Sequence, residues 1–321
     1  MVNQSTLSEF LLLEFSDVRE LQILHFVLFL VLYFAILTGN LLIIFAVAFD
    51  HHLHTPMYFF LMNLAIQDLG QVSVILPKSM ANSLMDSRHI SYSGCMVQVL
   101  LFVLFLTSDF CLLTVMAYDR YVAICNPLHY EMVITGQACA EMIAGVWIAG
   151  FLYAGMYTGG TFAIHFCSNI VNQFFCEIPQ LLKLSCSNLY LNERGALLVG
   201  SVVGLGCFVF VLVTYTQIFI TVFRIPSVQG RKKAFSTCLP HLIVFSTLVI
   251  TGSIAYLGPT SNTPSHLNLI FTMIYSITPP LLNPIIYSMK NKEIKSALCK
   301  LLCLKMSSKN IFFNFHCKFG F

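Results

Sequence analysis

The acid–base pair Asp119-Arg120 closes a long apolar stretch that begins near Val97. An arginine is costly wherever it meets lipid, so Arg120 is expected at the boundary with water or paired inside a helix bundle. Cys95 lies 25 residues earlier, which in a helix is roughly 37 Å, slightly more than the core of a bilayer. One helix can therefore carry a cysteine at one membrane face and a charged pair at the other. For an isolated Asp-Arg, an ordinary pair at a helix end is the simpler interpretation.

Two further acids, Asp68 and Asp109, fall deep inside apolar stretches. An acid within a membrane is expensive and is by default a functional hypothesis. Together with Asn40 and Asn283, these acids could line a polar cavity that holds water or a sodium ion, because such ions prefer oxygen ligands. The alternative is a protonated, hydrogen-bonded acid with structural value only. We expect no other cofactor.

The composition is that of a membrane protein. The 321 residues are 57% hydrophobic and 10% charged, with a mean hydropathy of +0.80, whereas soluble domains carry roughly 25% charged residues. A net charge of +3 is too small to indicate a nucleic-acid binder. The first twenty residues contain acids where a secretory signal has a basic start, so no cleaved signal is expected.

Seven apolar stretches are each near or above the ~20 residues that a spanning helix needs. Backbone groups in lipid must pair within their own segment, which predicts helices rather than strands. We expect spans at about 24–49, 57–83, 95–122, 138–162, 195–223, 236–257 and 267–289. The fold class is then an all-α membrane protein, a single domain over 1–321 with an extracellular segment 1–23, a bundle 24–289 and a cytoplasmic tail 290–321.

Basic residues set the orientation. With the N-terminus outside, the cytoplasmic side holds twelve of the lysines and arginines and the outer side five, as the positive-inside rule requires. The tail segment Lys290–Lys305 alternates lysines with apolar residues and predicts a short amphipathic helix on the inner leaflet, in contact with lipid. Its cysteines, Cys299 and Cys303, are either palmitoylated or unmodified on the apolar face.

Four cysteines fall on the oxidising side: Cys95, Cys167, Cys176 and Cys186. They permit three pairings, and spacing alone does not choose among them. The sequon at Asn3 is a glycosylation site only if the N-terminus is outside.

Five blocks of sequence resemble the odorant receptors, a branch of the rhodopsin-like G-protein-coupled receptors. They are Gly39-Asn40, Leu53–Leu61 (LHTPMYFFL), Met116–Tyr130 (MAYDRYVAICNPLHY), Lys233–Cys238 (KAFSTC) followed by His241, and Pro280–Ser288 (PLLNPIIYS). The resemblance implies a plasma-membrane receptor for an odorant, a heterotrimeric G protein of the stimulatory olfactory type that raises cAMP, and the disulfides Cys95–Cys176 and Cys167–Cys186.

The same blocks, together with Tyr215 on the fifth helix, contain the residues expected to switch. Donors and acceptors at the inner ends of the helices can form one hydrogen-bond network at rest and another when the helices separate. Simple anchoring at the membrane boundary is the alternative, the ordinary role of a tyrosine there. The set is Asp119, Arg120, Tyr121, Tyr215, His241, Asn283, Pro284 and Tyr287.

A mostly apolar cavity with a few hydroxyls is expected between the outer halves of the helices, the profile of a small-molecule site. Packing without ligand contact is the alternative for each apolar member. The candidates are Phe102, Val103, Leu106 and Thr107 on the third helix, Val199 and Val203 on the fifth, Gly252, Ser253 and Tyr256 on the sixth, and Met273 and Ser276 on the seventh.

Two residue types that are absent from particular places in the sequence limit the class of ligand. The seventh span, 267–289, contains no lysine, which excludes a retinal Schiff base, and Phe102 stands where amine receptors carry an aspartate. The expected ligand is small, neutral and partly apolar.

The chain departs from the family at Pro240, Val249 and Thr214, and the first two bear on how efficiently the receptor couples. No hydrolase, kinase or phosphate-binding motif is present, so no enzyme is expected. The rivals are a receptor of the same architecture for an internal metabolite and a channel or transporter, which needs charged residues along a continuous path.

Overall fold

The computed structural model describes residues 8–13, 18–85, 87–186, 191–257, 266–290 and 292–306. Within them, seven helices are long and apolar enough to cross a membrane, which confirms the predicted class. The helices are α1 (Arg19–Phe49), α2 (Pro56–Met85), α3 (Tyr92–Cys125), α4 (Tyr130–Val133), α5 (Gly136–Phe162), α6 (Ile178–Lys183), α7 (Leu191–Arg224), α8 (Val228–Leu257), α9 (His266–Lys290) and α10 (Lys292–Met306). The spans are α1, α2, α3, α5, α7, α8 and α9.

Most spans extend beyond the stretches that hydropathy marks, because a helix does not end where lipid ends. The first helix begins at Arg19 rather than near residue 24. The guanidinium of Arg19 donates to the carbonyl oxygens of Ser83 (3.2 Å) and Leu84 (2.6 Å) in the last turn of α2. A cation there satisfies carbonyls that have no partner within the helix, so the extra turn of α1 closes the end of α2.

The helix starts and prolines are consistent with a membrane bundle. Ser91 caps α3 by accepting a hydrogen bond from the backbone NH of Gly94 (3.1 Å), and Thr135 caps α5 in the same way. The helix α8 continues without interruption through Pro240, as membrane helices tolerate when neighbours pair the freed backbone groups.

Helices α2 and α3 form the centre of the bundle. In the most apolar part of each helix, 61% of the residues of α2 and 50% of those of α3 are buried. The corresponding share is 22% for α1 and α5 and 17% for α7. The outward faces of the peripheral helices carry large apolar side chains, among them Phe34, Leu152 and Leu205. An apolar surface of this extent is what lipid contact requires.

A three-stranded sheet, absent from the all-α prediction, covers one end of the bundle. Strand β1 (Glu9–Leu12) lies between β2 (His89–Ser91), to which it is antiparallel, and β3 (Ile170–Val171), to which it is parallel. Phe10 and Leu12 are fully buried in the same apolar cluster as Cys95 and Cys176. Hydropathy did not predict the sheet because such short strands depend on partners distant in sequence.

The opposite end of the bundle contains Arg120 and is closed by α10. Ile294 and Ala297 of α10 are buried in the large apolar cluster at that end. Tyr58 of α2 donates its hydroxyl to Glu293, and Lys300 pairs with Asp50 at 2.9 Å. The predicted amphipathic helix is therefore present. We call the two ends the disulfide end and the Arg120 end.

Candidate functional site

The disulfide end is held by two covalent links. The structure contains Cys95–Cys176, with Cα atoms 5.6 Å apart, and Cys167–Cys186, with Cα atoms 5.0 Å apart. Of the three pairings that spacing left open, this is the one implied by the family resemblance. The first bond fixes the loop between α5 and α7 onto the start of α3.

Gln98, one turn beyond Cys95, strengthens that attachment. Its side-chain oxygen accepts a hydrogen bond from the backbone NH of Cys176 (2.9 Å), and its amide nitrogen donates to the carbonyl of Val74 in α2 (3.0 Å). A single buried amide thus connects the loop to two central helices. Sequence reasoning missed Gln98, although its place on the face of Cys95 was a usable signal.

The predicted pocket residues of α3 and α9 meet an aromatic cluster at the disulfide end. Phe102 is fully buried, with its ring 5.0 Å from that of Phe175 and 6.1 Å from that of Tyr275. Leu106 and Met273 pack against the same cluster. We call this group, with Phe174, the aromatic cluster.

The remaining predicted residues of α3 and α9 lie beside this cluster. Val103 packs on a different group, with Val99 and the loop, while Thr107 is half-buried. Ser276 is buried, and its hydroxyl donates to the carbonyl of Thr272 at 2.6 Å within its own helix.

The structure does not place the predicted residues of α7 in the bundle interior. Val199 and Val203 are 48% and 55% exposed, so their assignment to the pocket is wrong. The neighbouring positions Gly200 and Gly204 are less exposed, and a Cβ on Gly200 would collide with the hydroxyl of Tyr153. One residue corresponds to about 100° of rotation about a helix axis, so a one-residue error turns a side chain from the interior to lipid.

On α8 the predicted positions divide. Gly252 is half-buried and Ser253 is exposed, so Ser253 is not placed in the interior either. The side chain of Tyr256 lies outside the described part of the chain, as does Asn3.

The intramembrane acids lie together with the predicted amides. Asn283 of α9 donates from its side-chain nitrogen to both carboxylate oxygens of Asp68 (2.9 and 3.2 Å). Asn40 of α1 donates to the carbonyls of Ile36 and Pro280 (both 3.0 Å). Asp109 of α3 is buried close to Asp68.

Acceptor oxygens outnumber donors in this group. Among the described atoms, Oδ1 of Asp109, of Asn40 and of Asn283 are all buried with no hydrogen-bond partner. Orphaned oxygens on three helices suit a hard cation or water molecules.

At the Arg120 end, the arginine is held by its own neighbour. The Arg120 guanidinium donates from Nε (2.8 Å) and from Nη2 to Oδ2 of Asp119, which is buried. The hydroxyl of Tyr130 donates to the other carboxylate oxygen at 2.7 Å. Burial and then the nearby Asp119 raise the pKa of Tyr130, so the phenol keeps its proton and donates. Sequence reasoning did not single out Tyr130, although it closes the block that contains Arg120.

A second network joins three helices at this end. His241 of α8 has Nε2 2.8 Å from the carbonyl oxygen of Leu113 in α3 and Nδ1 2.7 Å from the hydroxyl of Tyr215 in α7. A carbonyl can only accept, so in the neutral ring Nε2 carries the proton and Nδ1 accepts from Tyr215. The imidazole therefore bridges two helices with one fixed tautomer.

The other predicted switch residues make fewer contacts. Among the described atoms, the buried hydroxyl of Tyr287 has no hydrogen-bond partner, and Tyr121 is half-buried. Pro284 packs against Gly39, where an added Cβ would lie 3.0 Å from the proline ring. The structure thus brings Tyr215 to His241 and Asp119 to Arg120, and no hydrogen bond between residues in the described ranges joins the two pairs.

The fold and the sequence are similar to those of known receptors. Squid rhodopsin superposes with a TM-score of 0.71 at 17% identity, over 92% of this chain and 84% of its own, so the fold is that of a seven-helix receptor. The family described as olfactory receptor matches residues 29–305. Human olfactory receptor 14A16 is 47% identical over 96% of this chain and 100% of its own length, and human olfactory receptor 14I1 is 49% identical over 94% and 97%.

The chain belongs to the olfactory receptor family. The predictions of an odorant receptor that acts through a G protein, of a multi-pass protein of the plasma membrane and of a receptor rather than an enzyme are confirmed at this level.

Proposed function

We propose that this receptor binds a small, neutral, partly apolar odorant at the disulfide end and activates a stimulatory G protein of the olfactory type at the Arg120 end, raising cAMP. The observation that carries the proposal is the course of α3. This helix holds Phe102 in the aromatic cluster, the Leu113 carbonyl that binds His241, and Asp119-Arg120. A ligand that shifts α3 relative to α8 therefore acts on the bond between Leu113 and His241, and the same shift moves Asp119 and Arg120.

The orientation belongs to the proposal. The excess of lysine and arginine at the Arg120 end supports a cytoplasmic location for that end. The N-terminus with its sequon at Asn3 is then outside, and α10 lies on lipid of the inner leaflet.

A sodium ion is the proposed allosteric ligand of the buried acids. Asp68 and Asp109 would supply charge, and the orphaned oxygens of Asn40 and Asn283 would complete an oxygen-rich site. When bound, the ion would supply positive charge between two acids that otherwise repel.

The test is a cAMP assay with a panel of neutral volatiles on cells that express the receptor. Arg120→Ala is expected to abolish the response while surface delivery is retained, because the pair at Asp119 loses its cation. Arg120→Lys keeps the charge without the two-pronged geometry and is the matched variant, expected to respond weakly. Forskolin controls for the cyclase. A normal response in Arg120→Ala contradicts the switch, and a response to aqueous metabolites alone assigns an internal ligand instead.

A further inference from the structure

Glu177 is a buried acid that lies outside the membrane spans, in the loop between α5 and α7. It follows Cys176, whose disulfide fixes the backbone over α3. Glu177 occupies the position before α6, yet its side chain makes no capping bond to that helix. It is only 2% exposed and instead reaches α9.

All side-chain donors recorded for Glu177 are neutral groups. Oε1 accepts the hydroxyl hydrogen of Tyr275, while Oε2 accepts from the amide of Gln173 at 3.3 Å and from the hydroxyl of Thr272 at 3.5 Å. The last two distances lie at the long limit of hydrogen bonds. None of the ion pairs between described residues includes Glu177.

A buried acid without an ion pair is incompletely compensated. Burial raises the pKa of Glu177, and the hydrogen bonds from Tyr275, Gln173 and Thr272, followed by the charge of Lys183, oppose that rise. Since neither carboxylate oxygen accepts from a charged group, a donor brought by a ligand can compete with the neutral donors that the acid now holds.

The acid lies at the edge of the aromatic cluster assigned to the ligand's apolar part. Tyr275 belongs to both, since its hydroxyl reaches Glu177 and its ring lies 6.1 Å from that of Phe102. Phe175, two residues before Glu177, packs on Phe102 from the loop. A ligand whose apolar body packs against Phe102 and Phe175 would therefore have its polar head within reach of the carboxylate.

We propose that Glu177 is the hydrogen-bond acceptor of the odorant site, and that the ligand presents a donor, a hydroxyl or an amine, which replaces the Tyr275 hydroxyl on the carboxylate. The inference rests on the proposed function and deepens it. Release of Tyr275 removes one of the bonds between α9 and the disulfide-fixed loop and leaves those through Thr272, which couples binding to a loosened contact between the loop and that helix. Ethers carry no donor. An ether that displaced the Tyr275 hydroxyl would put no donor in its place on the carboxylate, and ethers are therefore rejected.

The absence of an aspartate at Phe102 limits only what α3 offers, because the loop brings an acid to the same cluster. Alcohols and amines share the donor chemistry. They differ in charge, because an alkylamine is a cation at neutral pH. Activity confined to the alkylamines would overturn the neutral ligand of the proposed function and leave the acceptor role of Glu177 standing.

The test uses unbranched alkanols, alkylamines and alkyl methyl ethers of equal chain length in the cAMP assay. The alkanols or the alkylamines are expected to be active, with ethers at least about tenfold weaker, the loss expected for one hydrogen bond to a charged group. Glu177→Gln raises the EC50 of donor ligands about tenfold. Tyr275→Phe removes the internal competitor and lowers that EC50 about threefold. If the carboxylate binds the ligand, Glu177→Gln and Tyr275→Phe change the EC50 in opposite directions. If the bond between the two residues is only structural, both variants change the EC50 in the same direction.

Surface delivery is measured for each variant, and Glu9→Gln, an exposed acid at the same end that pairs with His89, is the matched control with unchanged EC50. Glu177→Asp, which keeps the carboxylate and shortens its reach, is the second variant and raises the EC50 less than Glu177→Gln. Equal potency of ethers, an unchanged EC50 in both Glu177 variants, or the same direction of change in Tyr275→Phe overturns the proposal. A panel silent on the wild type, with basal cAMP still lowered by Arg120→Ala, overturns the ligand class and leaves the coupling standing.

Discussion

The two ends of the bundle are held together by different chemistry. At the disulfide end, two covalent bonds and a three-stranded sheet fix the loop over α3. At the Arg120 end, the helices are joined by side-chain hydrogen bonds, from Tyr215 to His241 and from Tyr130 to Asp119. Covalent links keep a recognition surface in place, whereas hydrogen bonds exchange partners at little net cost. The difference fits an end that recognises a ligand and an end that changes state.

The largest effect is expected from removing the covalent restraint. Cys95→Ser or Cys176→Ser frees a loop closed across 81 residues, and loss of such a disulfide typically costs about 2–5 kcal/mol. We expect both variants to be retained inside the cell, measured as surface against total receptor by flow cytometry. Cys207→Ser, at an unpaired cysteine of α7, is the control and should be delivered normally. Full surface delivery of both disulfide variants would show that the Cys95–Cys176 bond is not required to hold the disulfide end in place.

The exchangeable end is tested at His241. His241→Phe removes the bonds to Leu113 and Tyr215, while Tyr215→Phe removes only one of them. If these bonds hold the resting state, basal cAMP should rise about threefold to tenfold in Tyr215→Phe, the range of one net hydrogen bond, and more in His241→Phe. Basal cAMP per surface receptor is the measurement. Tyr118→Phe, at a ring of α3 that packs on Phe210, should change nothing, and basal cAMP that falls in both test variants would mean that the bonds belong to the active state.

The sequence predicted the positions of the helices better than the directions in which their side chains point. Hydropathy places all seven spans, because their length and apolarity decide whether they cross lipid. It does not give rotation about a helix axis, and the assignment of Val199 instead of Gly200 failed for that reason. Nor does it predict pairing between distant short segments, as for Phe10 in the sheet. Glu177 was missed because an acid in a loop is expected to be solvated, and only the fold shows it buried against Tyr275.

Between the two ends, the buried acids offer a smaller, ion-dependent effect. If Asp68 and Asp109 hold sodium, sodium chloride should raise the thermal unfolding midpoint of the purified receptor above that in choline chloride. At ten times its Kd, a bound ion stabilises the folded state by about 1.4 kcal/mol. Asp68→Asn should abolish the difference between the two salts while Asn283→Ala, which leaves both acids, should reduce it. Equal midpoints for the wild type in the two salts would exclude the ion.

The smallest effect is expected at the attachment of α10, where two contacts of the Arg120 end differ in burial. Tyr58, only 2% exposed, donates to Glu293, whereas Lys300 pairs with Asp50 in an exposed position. The hydrogen bond from Lys300 lowers the pKa of Asp50, so any contribution of this pair is present above the unfolded pKa of Asp50 and lost as the pH falls through its folded pKa. Exposed pairs are screened by water and salt, and Lys300→Ala should therefore leave the midpoint at neutral pH unchanged. Tyr58→Phe should lower it, because the hydrogen bond from a buried tyrosine to Glu293 is lost. The reverse order would mean that surface charge, and not buried hydrogen bonding, holds the Arg120 end together.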